Sequence, residues 1–140
     1  MTDNVDHPQH YENGPYECIL LAEQYSFNVG NMIKYVWRHK DKGHPKEDLQ
    51  KALWYAKRAV EDSEGFAPCK RWFRTSTTTE TFHWPGTDAA TLLMIKSNLC
   101  TNQTETKFWK AVAENSSENT VAALETMTVS YTHLRAHETR

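Results

Sequence analysis

The chain has 140 residues, 39% hydrophobic and 24% charged, with a formal net charge of -2. That is room for one small domain, or for a small domain with an extension. The near-neutral balance argues against a general nucleic-acid binder, which carries a basic excess, and no apolar run approaches the ~20 residues that span a bilayer. The start MTDNVDHPQHY is acidic and polar and does not read as a signal peptide. Cys18, Cys69 and Cys100 are odd in number and widely spaced. They suggest neither a zinc pair nor a disulfide framework, and a reducing cytoplasm is the simplest home.

In chain order, three helical stretches precede Gly65. The first is expected over Tyr16 to Tyr25, with Pro15 suited to its first turn. Tyr16, Ile19, Leu20 and Glu23 lie near one face, with Cys18, Leu21, Ala22 and Tyr25 beside them. The second is expected over Val29 to Lys40, capped by Asn28, with Met32, Ile33, Val36 and Trp37 facing the core. DKGHP ends it: Gly43 can take the left-handed cap and Pro45 blocks continuation. The third is expected over Pro45 to Asp62, with Glu47 and Asp48 in its first turn where carboxylates complement the helix dipole. Leu49, Ala52, Leu53, Ala56 and Val60 form its apolar stripe. Short connections favour antiparallel packing of the last two helices.

After Gly65 the composition changes. Lys70 to Thr75 and Thr78 to Trp84 read as candidate strands, and a short helix follows Gly86 with Thr87 or Asp88 as its cap. KFWKAVAE fits a strand or a helical turn, and NTVAALETM a helix. The expected fold class is therefore mainly α, a small antiparallel module of three helices followed by a loosely defined α+β extension. Residues 1–64 form the helical module, 65–128 the extension, and 129–140 a tail. That tail, VSYTHLRAHET from Val129 to Thr139, reads as the translation of a transposase-type sequencing adapter, and is set aside like a cloning scar.

The polar residues of the second and third helices converge. Asn31, Lys34 and Arg38 share one helix face, and Asp48, Lys51 and Tyr55 repeat that spacing on the next helix. Lys34, Arg38 and Lys51 could offer phosphate a guanidinium fork and two point charges. Asp48 could orient a lysine, hold a metal through water, or accept a hydroxyl proton. Across this stretch Lys34, Arg38, Lys40, Lys42 and Lys46 face only Asp41 among nearby acids. A merely solvated face would show the same periodicity. His7, His10 and Tyr11 of HPQHY could contact a phosphate or a base edge, although an N-terminal arm packed over the helices is the simpler reading. The phosphate loop GxxxxGK[ST] is absent, as are GxSxG, HExxH and GxGxxG. So is the facing ExxE and ExxD arrangement that a helical nucleotide pyrophosphatase would place around Mg²⁺.

The string from His7 to Glu61 resembles a family of small phage proteins with the pattern HPxHY, a glutamate-led helix, GNxxKYxxR, a lysine-containing loop and DLxKAxxY. Matching positions include His7, Pro8, His10, Tyr11, Glu17, Gly30, Asn31, Lys34, Tyr35, Arg38, Lys42, Asp48, Leu49, Lys51, Ala52 and Tyr55. One branch of that family, from short-tailed lytic phages, is described as a deoxynucleoside monophosphate kinase without the usual phosphate loop. The resemblance implies a phage protein of the bacterial host cytoplasm that acts on nucleotides, with Mg²⁺ arriving with ATP. On that reading Arg38, Asp48 and Lys51 carry the chemistry, and His7, His10, Tyr11, Asn31, Lys34, Tyr35, Lys42 and Tyr55 hold the substrate. A module this small also makes self-association an expectation. The alternative is a non-catalytic phage module that binds a nucleotide or a host protein.

Overall fold

The structure is a computed structural model, and it describes residues 16–41, 43–69 and 88–138, with side chains up to Tyr131. The described residues form helices α1 (Cys18–Ala22), α2 (Phe27–Arg38), α3 (Pro45–Glu61), α4 (Ala89–Leu99), α5 (Gln103–Ala113) and α6 (Ser117–Glu138), and no strand. The mainly α expectation holds. The candidate strands over 70–75 and 78–84 lie outside the described residues. KFWKAVAE is helical within α5, and NTVAALETM lies inside α6.

Helix α1 is shorter than expected. The chain leaves it through a tight turn in which the Gln24 and Tyr25 amides bond to the Leu21 and Ala22 carbonyls. Ile19 and Leu20 point outward, while Cys18, Leu21 and Tyr25 are buried. A Cβ on Gly30 would sit 2.8 Å from the Ala22 carbonyl oxygen, so only glycine lets α2 cross the end of α1 this closely. Helix α2 begins earlier than periodicity suggests, with Ser26 rather than Asn28 at its N-cap. Asn28 lies inside the first turn, and its amide bonds to the Glu64 carboxylate, as does the Ser26 hydroxyl at 2.5 Å. Gly43 takes the left-handed conformation at φ 79°, as its place after α2 suggested.

Helices α2 and α3 run antiparallel, because Phe27 meets Tyr55 at one end and Arg38 meets Asp48 at the other. On α3 the buried row is Leu49, Ala52, Ala56 and Ala59, whereas Val60 is exposed. Ala59 replaces Val60 in the stripe because a small face allows α3 to lie between α2 and α6 at short range. Helix α3 contacts both neighbours, α5 joins α4 to α6, and α1 touches α4. One buried cluster draws on both halves of the chain: Leu21, Met32, Ile33, Val36 and Leu49 from the first, and Leu93, Phe108, Trp109, Val112 and Leu124 from the second.

The caps of the second half are explicit. Asp88 accepts the Thr91 amide at 3.1 Å, and Asn102 accepts the Glu105 amide at 2.9 Å, each serving an otherwise unpaired first-turn donor. On α6 the buried residues Thr120, Ala123, Leu124 and Met127 follow helical spacing. The next residue of that row, Tyr131, stands edge-on to His39 with ring centroids 5.6 Å apart. The helix runs on to Glu138.

Candidate functional site

The antiparallel α2–α3 pair sets its polar faces side by side along one rim. Positions 27, 31, 34, 35 and 38 fall on one arc of α2, and 48, 51 and 55 on one arc of α3. Tyr35 and Tyr55 close the seam between them, stacked at 12° with centroids 5.9 Å apart. Three cations then gather on a single ring. Lys34 Nζ and Arg38 Cζ each lie 4.7 Å from the Tyr35 centroid, and Lys51 Nζ lies 5.5 Å away. Each contact stabilises its cation by about 0.5–1 kcal/mol at an exposed site. The tyrosine face helps hold like charges together that would otherwise repel.

The compensating acid is Asp48. One carboxylate oxygen meets Arg38 at 3.5 Å, and the other is buried with no hydrogen-bond partner among the described residues. Asp48 is only 4% exposed. It therefore acts through Arg38, fixing the guanidinium beside Tyr35. Lys34 and Lys51 meet no carboxylate among the described residues. Among the described residues the rim thus carries a local positive excess, within a chain of net charge -2.

Of the residues singled out by sequence, Lys34, Tyr35, Arg38, Asp48, Lys51 and Tyr55 come together here. Asn31 shares the rim, but its amide donates to the Phe27 carbonyl of its own helix at 2.8 Å. His7, His10, Tyr11 and Lys42 lie outside the described residues. Sequence reasoning passed over Phe27 and Trp54. Phe27 approaches Tyr55 at 6.3 Å and 71°, and Trp54 at 5.1 Å and 89°. Both are well exposed, at 75% and 58%. The available signal was that neither aromatic fits the apolar stripe of its helix.

A second polar cluster lies where the halves of the chain meet. Glu105 is buried, accepts the Trp109 indole N–H at 3.0 Å and pairs with Lys40 at 3.1 Å. Burial pushes its carboxyl up, but the Trp109 bond, Lys40 and His39 outweigh that and hold it below the ordinary range. Lys96 Nζ sits 3.8 Å above the Trp37 ring, and burial lowers its pKa despite the attraction of Glu105. His39 is 1% exposed, with Nδ1 2.6 Å from the Val36 carbonyl. These contacts join α2 and the residues that follow it to α4, α5 and α6, so the cluster reads as structural. Burial pushes the Cys18 thiol up to about 12, which leaves it an unreactive packing residue.

Among the described residues no three His, Cys, Asp or Glu side chains gather as a metal site. Also among the described residues, no helix is long and apolar enough to cross a membrane.

Fold and rim together define a small, mainly helical protein with a cationic, aromatic-edged seam between two antiparallel helices. Residues 5–57, which include that seam, match the model of a family described as a protein of unknown function, DUF3310. No curated protein and no solved structure matches the chain.

Proposed function

We propose that the α2–α3 rim binds the phosphate groups of a nucleotide, and that the protein is a phage nucleotide kinase-like enzyme of the host cytoplasm. It would move the γ-phosphoryl group of ATP to a phosphate oxygen of a deoxynucleoside monophosphate, giving ADP and the deoxynucleoside diphosphate. One observation carries the binding half of this reading. Lys34, Arg38 and Lys51 crowd one tyrosine ring, and among the described residues Asp48 is the acid that pairs with this group, through Arg38. A bound phosphate would relieve their repulsion and accept both the guanidinium fork and the two point charges. Phosphoryl transfer asks a protein mainly for positioning and charge neutralisation, which such a cluster supplies. The phage origin, the reaction and the Mg²⁺·ATP donor rest on the HPxHY, GNxxKYxxR and DLxKAxxY resemblance.

A non-catalytic nucleotide-binding module is the second reading, and the placement of Asp48 favours it. A carboxylate that is 4% exposed and turned toward Arg38 is poorly placed to reach a nucleotide's Mg²⁺ or its attacking oxygen. The test is incubation of the purified protein with ATP, Mg²⁺ and each deoxynucleoside monophosphate in turn, with products separated by chromatography. A diphosphate product that disappears in Asp48→Asn while nucleotide binding persists supports the kinase. Binding without any diphosphate product from the wild type leaves the binding module. Absence of both binding and product removes nucleotides from the account.

A further inference from the structure

We infer that Phe27 and Trp54, set about Tyr55, form the base-stacking platform of a single nucleotide whose phosphates lie toward Lys34, Arg38 and Lys51. The inference rests on the nucleotide reading above and adds the ligand's direction along the rim. Lys34, Arg38 and Lys51 gather at the Tyr35 end of this surface, while Phe27 and Trp54 lie about Tyr55, where the Arg58 guanidinium also stands 5.9 Å from the Trp54 ring. Phe27 lies near the N-terminus of α2, and Lys34 follows it by about 10 Å at ~1.5 Å rise per residue. The rings continue from Phe27 and Trp54 through Tyr55 to Tyr35, where the cations begin. An apolar, π-rich end followed by a cationic end matches a nucleobase joined through a sugar to phosphate.

The exposure of Phe27 has a structural cause. Both its neighbours, Ser26 and Asn28, bond to the carboxylate of Glu64. Glu64 is placed by the left-handed Ser63 at φ 59° and by its own amide bond to the Ala59 carbonyl at 2.8 Å. The backbone at Phe27 is thus clamped to the end of α3 while its ring stands 75% exposed. A backbone already held in place loses little further freedom when a base stacks on the ring it carries. Trp54 and Phe27 both stand steeply to Tyr55, at 89° and 71°. The rings are confined to one end of a rim whose phosphate-binding part is short, which favours one nucleotide over a strand.

The experiment compares inorganic tripolyphosphate, deoxyadenosine monophosphate, ATP and a short single-stranded oligodeoxythymidylate by calorimetric titration. It uses the full chain and its Phe27→Ala, Trp54→Ala, Trp54→Phe and Lys34→Ala variants. Phe27→Ala and Trp54→Ala should weaken both nucleotides about tenfold to a hundredfold and leave tripolyphosphate within about twofold, while Trp54→Phe keeps most of the nucleotide affinity. Lys34→Ala should weaken tripolyphosphate and nucleotides alike. Nucleotide affinity unchanged in both alanine variants overturns the platform while the phosphate face stands. A fall in melting temperature of several degrees with unchanged affinity does the same, and means that the chain itself covers these rings. Oligonucleotide binding more than tenfold tighter than ATP overturns the commitment to a single nucleotide. Wild-type protein that binds tripolyphosphate but no nucleotide overturns platform and nucleotide reading together.

Discussion

Lys34 and Lys51 are the cleanest probes of the rim. Neither meets a carboxylate among the described residues, so truncating either to alanine should leave the fold intact. Each loss of a charge-assisted phosphate contact should lower nucleotide affinity by about 1.5–3 kcal/mol, on the order of ten- to a hundredfold, by calorimetry. Arg38→Ala is expected to do more, because it also leaves the buried Asp48 without its cation, and thermal stability should fall by about 1–3 kcal/mol. Arg38→Lys keeps the charge and loses the fork, so it should weaken binding with a smaller effect on stability. Equal affinity in all of these variants would mean a merely solvated face. Gly30 sits at the other structural extreme. A Cβ there meets the Ala22 carbonyl oxygen at 2.8 Å, and that neighbour is backbone. Gly30→Ala should therefore cost about 1–3 kcal/mol despite alanine's better helix propensity, read by chemical denaturation. A neutral or stabilising result would show that α1 slides away from α2 at no cost.

At the scale of elements, helix α6 is the one whose sequence changes character along its length. Its buried row runs through Thr120, Ala123, Leu124 and Met127 and reaches Tyr131, half-buried against His39. Ending the chain at Thr128 removes the tyrosine contact and leaves the rest of that row in place. The expected loss is about 0.5–1.5 kcal/mol, the size of one aromatic pair, with nucleotide affinity unchanged. A chain ended after Tyr131 should recover most of it. Measured unfolding free energies for the three lengths decide the matter. A loss of several kcal/mol at Thr128 would show that residues 129–140 are integral to the fold and not a dispensable tail.

For the whole molecule, stability depends on how the two halves join. His39 lies at that junction, faced by Lys40, Asp48, Glu105 and Tyr131, and burial lowers its pKa below the ordinary 6.5. The unfolded chain therefore binds this proton more readily than the folded one. Stability should be intact above pH 6.5, fall as pH drops below it, and level off once the folded-state pKa is passed. Glu105 is held below its ordinary 4.5, so its own contribution is lost only as pH falls below 4.5. His39→Gln should flatten the stability profile below pH 6.5, measured by thermal unfolding across buffers. A profile unchanged by the substitution would assign the acid sensitivity to other groups.

How much of this was legible in the chain follows the range of the forces involved. Local signals located α2, α3 and α4: apolar periodicity, Pro45 at a helix start, Gly43 at a helix end, and Asp88 as a cap. The same 3.6-residue periodicity put Lys34, Arg38, Asp48 and Lys51 on facing rows, because residues three and four apart on a helix share a face whatever surrounds it. Other features depend on contacts distant in sequence. Ser26 rather than Asn28 stands at the N-cap of α2, and both side chains bond to Glu64, a partner 38 and 36 residues away that no local signal announces. Ala59 rather than Val60 is buried because α6 packs against α3, and nothing in residues 45–62 announces α6. Asp48 reads in sequence as a first-turn acid with a candidate site role, and only the antiparallel pairing sets it beside Arg38 and buries it. Phe27 and Trp54 sit outside every stripe in the sequence; tertiary packing leaves them exposed together around Tyr55. Sequence alone determined the helical periods and their charged rows. Only the tertiary structure decided which rows meet, because that choice belongs to burial and pairing between segments far apart in the chain.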